Sequence, residues 1–440
     1  MLNFALLAVA AALFATLTFA PWFRRSDEWA ATVTPLASIM GSGFLVCGPL
    51  LAATVGLWTP VAMLGLLAVA YAIGGAIRFN IREIQSSLES TPGDGDGDGD
   101  SDEGGDEGGT DESHGSDGID HRLHGGHRDT PAELVRWLAT VSQIGLAVAY
   151  VVSVTYYVML LSQFVLKPLG VADGQGPTLL ATAVLGAIAA VGFFFGLKVV
   201  ERVERAVVSA NLAVIGTLLV GLAWHNGSLW VGGDWSLPSI EPMSGRWTML
   251  RTVMGLLIVV QGFETSRYLG GHPAEQRIRT MRTAQLIASA VYLVFLSLLL
   301  VVLTPDSATT DAGVTAIIGL VGVVAGVLPA LLTIAAAGSQ FSAAAADEAG
   351  CGGLLERLVP KLNARTSYLA IGGLTIALAW TVNVMQVIAI ASRVFAAFYA
   401  LQCAIAAIHA WRTGRRALGG WFGLLAAIAA AVAALGKSTE

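Results

Sequence analysis

The sequence predicts an all-α polytopic membrane protein of about twelve transmembrane helices, built around two five-helix halves of inverted topology. Three observations predict it. Hydrophobic residues make up 55% of the chain and charged residues only 13%, with a mean hydropathy of +0.68; a soluble domain carries about 25% charge. The apolar residues fall into runs of about 18 or more, the length a helix needs to cross a bilayer. Two of those runs, five apart in order, are interrupted in corresponding places by small and polar residues. A transmembrane β-barrel would show alternation over segments of about ten residues instead, and the sequence has none.

Spans are expected at about 2–22, 32–55, 58–79, 133–166, 177–197, 203–224, 248–270, 281–304, 312–345, 367–382, 386–410 and 418–435. The first has no charge before its apolar part and Arg24 and Arg25 after it. That reads as a retained anchor with its N-terminus outside rather than a signal peptide. Lys and Arg then concentrate in every second loop, in clusters such as Arg78/Arg82, Lys198/Arg202/Arg205, Arg277/Arg279/Arg282 and Arg412/Arg415/Arg416. The intervening loops, for example "GLWTP", are nearly free of them. Basic loops face the cytoplasm, so both ends of the chain are expected outside. Cys47, Cys351 and Cys403 are far apart and lie in or beside apolar runs, and they read as small core residues.

The formal net charge of −6 hides an asymmetry. Residues 89–129 hold 14 acidic and two basic side chains, leaving the rest of the chain with 17 acids and 23 bases. This insert has almost no apolar side chains and is expected to be a disordered cytoplasmic loop between the third and fourth spans. No register of it satisfies an EF-hand, which needs Gly at position 6 and Glu at position 12 together. A solvated acidic linker is one reading; a regulatory or metal-sensing segment using His114, His121, His124 and His127 is the other.

The interruptions carry the functional argument. "PLASIMGSGFLVCGPLL" in the second span places Gly41, Ser42 and Gly43 mid-helix, where each glycine costs about 1 kcal/mol relative to alanine. "LLIVVQGFETSRYLGG" in the seventh places Gln261, Gly262, Phe263, Glu264, Thr265 and Ser266 in an apolar run. At the helical rise, Glu264 lies about 20 Å into its span, and an intramembrane carboxyl points to function. Five is an odd number, so the two interrupted spans cross in opposite directions. Spans two to six and seven to eleven then form two inverted halves, the pattern of secondary transporters. Freed backbone groups at that depth are tolerated where they line a cavity or are buried in protein. Close helix packing at small residues is the other use of such glycines.

These residues carry a resemblance. "IMGSGF" resembles the first-helix "IGSGIF" signature of the amino acid–polyamine–organocation (APC) superfamily. "QGFETSRYLGGHPAEQRIRTMRTAQLIASAVYLVF" is similar to its sixth core helix and following loop, and "GLKVVERVERAVVSANLAVIG" to its fourth-to-fifth helix junction. The resemblance runs from about 32 to 410 and implies the LeuT-like five-plus-five inverted-repeat core, with the first span as an added helix. It implies an organisation of 1–31 as the extra helix and loop, 32–224 and 225–410 as the two repeats, and 411–440 as a final helix and tail. It further implies that Gly41, Ser42 and Gly43 offer amides to a substrate carboxylate, while carbonyls around Gly262–Glu264 receive an amino group. Sodium-coupled members hold Na+ with hydroxyls matching Ser339 and Ser342, which share a helix face. Several proton-type relatives have a lysine in the fifth core helix where the sodium would sit; here Asn211 is near that place and no lysine is available, which favours Na+ over H+, the alternative coupling ion. The acidic insert departs from the family, and the family's loop acid falls at Glu275 or a neighbour.

Three further groups stand out. Arg393, about two turns into its span, either snorkels outward or pairs with a buried acid such as Glu264. Asp347 and Glu348 are expected at the cytoplasmic rim. Gln143, Tyr150, Tyr156, Tyr157 and Gln163 on the long fourth span are candidates to face a cavity. The reading that joins these observations is a secondary active transporter of a small polar organic solute, an amino acid or related amine, in the cell membrane. The alternative is a membrane sensor using the same fold without transport. No paired catalytic carboxylates, HExxH, GxSxG or Walker motif appears, so no enzyme activity, cofactor beyond the coupling ion, or nucleic-acid partner is expected, and the sequence leaves the oligomeric state open.

Overall fold

A computed structural model describes residues 1–22, 26–85, 130–171, 174–195, 197–268, 273–305, 315–359 and 361–437. The acidic insert and its histidines lie outside the described residues. The described residues form helices and no strand. They are α1 (Leu2–Phe19), α2 (Asp27–Val55), α3 (Thr59–Asn80), α4 (Thr130–Leu166), α5 (Gly176–Phe195), α6 (Leu197–Gly232) and α7 (Arg246–Gly255). Two short 3-10 turns follow, Leu257–Val260 and Phe263–Tyr268. Then come α8 (Ala274–Leu299), α9 (Ala316–Val324), α10 (Leu328–Leu358), α11 (Ala364–Ala379), α12 (Val384–Arg412) and α13 (Arg416–Leu435). Among the described residues nine stretches are long and apolar enough to cross a membrane, and one of them, Asp27–Glu83, holds α2 and α3 end to end.

Local chemistry sets the helix ends. Ser26 caps α2 by accepting from the Trp29 N–H, and Asp27 and Glu28 occupy its first turn, where negative charge suits the helix dipole. Asn363 and Asn383 start α11 and α12 with reciprocal capping boxes to Thr366 and Gln386. Pro60 opens α3 within its first two positions, where its missing N–H costs nothing.

Lipid tails are as apolar as leucine, so these helices are held by close packing and interhelical hydrogen bonds. The packing has an order. α2 lies against the segment that joins α7 to α8, α3 against α8, α4 against α10, and α5 against α11. Helices α2, α3 and α8 form one group, and α4, α5, α10 and α11 another; α12 packs on both and on α13.

Side-chain and backbone contacts sort the loops onto two faces. Arg279 pairs with Glu28, Arg82 with Glu275 and Arg415 with Glu83. These pairs gather the loops before α2, after α3, before α8 and after α12 on one face. On the opposite face, the Val327 N–H donates to Asn3, the Met243 N–H to the Thr54 carbonyl, and the Lys437 N–H to the Arg251 carbonyl. Residues near both ends of the chain therefore lie on the face away from those basic loops.

Two expectations are corrected. The run at 41–43 is not a break: α2 is helical without interruption from Asp27 to Val55. The glycines serve close approach instead. A Cβ placed on Gly43 would sit 2.4 Å from Val259 Cα, and one on Gly41 would sit 3.0 Å from Ser339 Oγ and 3.3 Å from Ala343 Cβ. The expected span at 312–345 divides into α9 and the longer α10. Ala325 is extended (φ −161, ψ 137), and Pro329 begins the new helix.

The close approach at Gly43 yields a test. Gly43→Ala is expected to destabilise the protein by about 1–3 kcal/mol through overpacking, read as a lower midpoint of thermal unfolding in detergent. Gly65→Ala, also mid-helix but with nothing within 4 Å of the new Cβ, is expected not to lower that midpoint, and to raise it to the extent of alanine's better helix propensity.

Candidate functional site

The seventh apolar run is interrupted as its sequence indicates. α7 stops at Gly255, and the chain continues as a 3-10 turn to Val260. Gln261 is extended (φ −80, ψ 174) and Gly262 has φ +111, a left-handed conformation that side-chain-bearing residues avoid. A Cβ on Gly262 would also lie 2.5 Å from Ser38 Oγ and 2.8 Å from the Ile39 nitrogen. Only a glycine lets this backbone bend lie directly on α2.

Unwinding frees backbone groups, and neighbouring helices satisfy them. Ser392 on α12 accepts from the Ile258 N–H (3.0 Å) and donates to the Gly255 carbonyl (2.6 Å). The Tyr292 hydroxyl on α8 lies 2.5 Å from the Val259 carbonyl and 3.1 Å from the Ile39 carbonyl, spanning the interrupted segment and α2. Thr265 Oγ1 donates to the Gly262 carbonyl (2.7 Å).

Glu264 is fully buried at this bend. Its Oε2 accepts from the Gly262 N–H (3.0 Å) and from the Tyr399 hydroxyl on α12 (2.8 Å). Its Oε1 has no hydrogen-bond partner. The Phe263 ring stacks on Tyr399 at 5.2 Å and 16°. Gln261 donates through Nε2 to the Tyr157 hydroxyl on α4 (2.6 Å), and its Oε1 is unpartnered. On α10, Gln340 Nε2 donates to the Gly41 carbonyl (2.6 Å), and Gln340 Oε1 and Ser342 Oγ are buried without partners, as is Ser38 Oγ on α2. Five oxygens on these elements therefore lack partners, and three of them, the Glu264 carboxylate Oε1 and the amide oxygens of Gln261 and Gln340, can only accept. An unpartnered buried polar atom costs about 1–3 kcal/mol, and a ligand rich in N–H groups would relieve that.

The structure brings together Gly41, Gly43, Gln261, Gly262, Phe263, Glu264 and Ser339. The side chain of Ser42 lies outside the described atoms. Ser339 Oγ faces Gly41, and Ser342 is buried on the same helix. Asn211 is buried on α6, which packs on α10 where a Gly338 Cβ would meet Val207 Cγ1 at 3.0 Å. Arg393 does not join Glu264. It is exposed and donates to the Ala433 and Ala434 carbonyls (2.9 and 3.1 Å), capping the end of α13, whose last carbonyls lack partners within the helix. Asp347 and Glu348 are not at a rim: each is 1% exposed, because α10 runs on for two to three turns to Leu358. Ser153 donates to Asp347, and neither oxygen of Glu348 has a hydrogen-bond partner.

A second buried network lies toward the face of the basic loops. Asn80 Nδ2 donates to both the backbone carbonyl and Oε1 of Gln402 (2.9 and 3.0 Å). Arg267 donates to the same Oε1, and Gln402 Nε2 donates to Ser142 Oγ (2.6 Å). The interrupted segment is thus joined to α3, α4 and α12 at one amide.

Tyr399, Tyr292, Gln340 and Ser392 are site residues that sequence reasoning missed. Each sits at helical spacing within an apolar run, where its partner on another helix is not visible. Tyr399→Phe is expected to cost about 1–3 kcal/mol by leaving a buried carboxyl short of a donor. Thermal unfolding of Tyr399→Phe, Glu264→Gln and the double variant checks this; the double variant should lose less than the sum of the singles.

Comparison with known proteins places the chain. A family model described as APC superfamily transporter matches residues 21–97 and 119–436. An uncharacterised protein of Aquifex aeolicus (strain VF5) is 32% identical over 423 residues, covering 96% of this chain and 93% of the relative. A solved structure, the substrate-bound outward-open state of a Na+-coupled sialic acid symporter, matches with a TM-score of 0.49 at 12% identity, over 100% of this chain and 98% of that one. The family match takes in α2, the interrupted segment and Glu264 on one continuous stretch either side of the insert, and the chain belongs to the APC superfamily of transporters.

Proposed function

We propose that this chain is a secondary active transporter of a small polar organic solute, an amino acid or related amine, that works by alternating access and is driven by an ion gradient. One observation carries the reading. A carboxyl group is buried at an interrupted helix with one oxygen unpartnered, and other unpartnered acceptor oxygens lie on the helices around it. Such a place suits a cationic amine, which brings several N–H donors and a compensating charge. Glu264 and Gln261 receive the amine, and the stacked pair Phe263 and Tyr399 forms an apolar wall.

The carboxylate end of an amino acid falls to Gly41, Ser42 and Gly43. In this conformation α2 is helical there and packed by Val259 and Ser339. Its amides reach a carboxylate only when that turn opens, so the amine end of the reading has the stronger support. Na+ held by Ser339 and Ser342 is one coupling ion, and H+ carried by Glu264 is the other.

The fold we propose is twelve-spanning, with 32–224 and 225–410 as inverted repeats flanked by α1 and α13. What supports it is that spans five places apart lie against each other in four of the five pairs, α2 with the interrupted segment, α3 with α8, α4 with α10 and α5 with α11, as a two-fold axis in the membrane plane would arrange them. By the positive-inside rule the face of Arg82, Arg279 and Arg415 is cytoplasmic, which puts both ends of this chain outside and the acidic insert inside.

A thermal-shift screen against amino acids and amines identifies the solute, since a ligand at about a hundred times its Kd stabilises the folded state by about 2.7 kcal/mol. Uptake of that solute into proteoliposomes is then expected under a sodium or a proton gradient and not without one. Glu264→Gln is expected to lower it at least about tenfold, the effect of losing one hydrogen bond to a charged group. Full uptake by that variant removes Glu264 from the site. Sodium-driven uptake abolished in Ser342→Ala assigns the cation to α10, and indifference to sodium assigns the coupling to protons.

A further inference from the structure

Arg393 was singled out by its depth in an apolar run, and the site around Glu264 leaves it unused. Its surroundings form a compact device on the face opposite the basic loops. Arg393 holds the last carbonyls of α13 through Ala433 and Ala434. The residues that follow, Leu435–Lys437, cross to α7. Arg251 Nε donates to the Leu435 carbonyl (2.8 Å), and the Lys437 N–H donates to the Arg251 carbonyl (2.9 Å). The two backbones touch: a Cβ on Gly255 would lie 1.8 Å from the Lys437 oxygen, and one on Gly436 would lie 3.4 Å from Gly255 Cα. Next to Arg393, Ser392 ties α12 to the Gly255 carbonyl and the Ile258 N–H.

The position of this device gives it a consequence. α7 leads into the bend at Gln261–Glu264, and α12 supplies Tyr399, which covers Glu264. Separating α7 from α12 is therefore the move that uncovers Glu264 from this face. Three tethers oppose it: Ser392 directly, and Arg251 and Arg393 by way of the chain end of α13. Two of the donors are guanidinium groups on backbone carbonyls, a charge-assisted bond that is stronger than a neutral one.

We propose that Leu435–Lys437, with Arg251 and Arg393, form a latch that holds α7 against α12 and closes this face over Glu264, and that access from this face requires its release. The proposal rests on the alternating-access reading, but its test needs no solute, so the two fail separately.

The test is hydrogen exchange, followed by mass spectrometry, on the full chain in lipid nanodiscs. The tail contributes its backbone, and the Lys437 side chain is exposed. Lys437→Pro removes the N–H donor, while Lys437→Ala keeps it. In Lys437→Pro and in Arg251→Gln, amides of residues 246–264 are expected to exchange about tenfold faster, the change that follows from losing one such hydrogen bond. The increase should reach Gln261–Glu264, which the latch does not touch, and should leave α8 unchanged. Lys437→Ala should match the parent. Parent-like exchange in both Lys437→Pro and Arg251→Gln overturns the latch. So does an increase confined to residues 251–255, or one spread equally over α8, because those outcomes describe a local tether or a general loss of stability.

Discussion

A carboxyl group and an unwound backbone at membrane depth have no water to fall back on, so every donor and acceptor they expose must be met by protein or ligand. That constraint organises this molecule. The bend at Gln261–Gly262 lies on the α2 backbone closely enough that no side chain fits between them. Tyr292, Ser392 and Thr265 then take up the backbone groups that the missing helical turns would have satisfied. Two helices, α8 and α12, supply part of this hydrogen bonding, and Thr265 within the bend supplies the rest. The polar atoms left over, Glu264 Oε1 foremost, mark where the protein has not completed its own accounting.

The same constraint explains why the two interruptions differ. In α2 the glycines keep the helical backbone and give up side-chain volume, so Val259 and Ser339 can approach. In the seventh run the α-helix has already ended at Gly255, and Gly262, at φ +111, makes the bend. One interruption makes room and the other makes the bend that fills it. Gly43 against Val259 and Gly262 against Ser38 are the two sides of a single contact. A glycine pair in an apolar run is compatible with either role, and only the partner backbone decides between them.

This sets how much was legible in the sequence. Helices and their order follow from apolar runs and loop charges, because crossing a bilayer constrains each helix by itself. Arg279 with Glu28 brings two of those basic and acidic loop ends together on one face, as the alternation of loop charges led one to expect. Glu264 was legible because an acid in an apolar run has few uses. Its partner was not. Tyr399 is 135 positions away and looks like any tyrosine in a membrane helix. Of the two readings of Arg393, the outward one fits its exposure and the pairing with Glu264 does not hold; its partners were hidden for a related reason, since the α13 carbonyls it caps belong to a different helix. The division of 312–345 into α9 and α10 was signalled by Gly326 and Pro329, but high hydropathy on both sides masked it.

One stripe of α12 gathers these threads. Ser392, Phe395, Tyr399 and Gln402 recur at three- and four-residue spacing and so share a face, and all four are buried. Over ten residues, about 15 Å of helix, that face meets three different demands. Ser392 holds the start of the interruption, Tyr399 covers Glu264, and Gln402 joins Asn80, Ser142 and Arg267 near the basic loops. A helix that contacts the bend at both its ends cannot tilt without loosening one set of bonds, and a rigid tilt that loosens one end presses the other. The polar residues of α12 thus bond the interrupted segment on both sides of its bend, at Ile258 and Glu264 and, through Gln402, at Arg267.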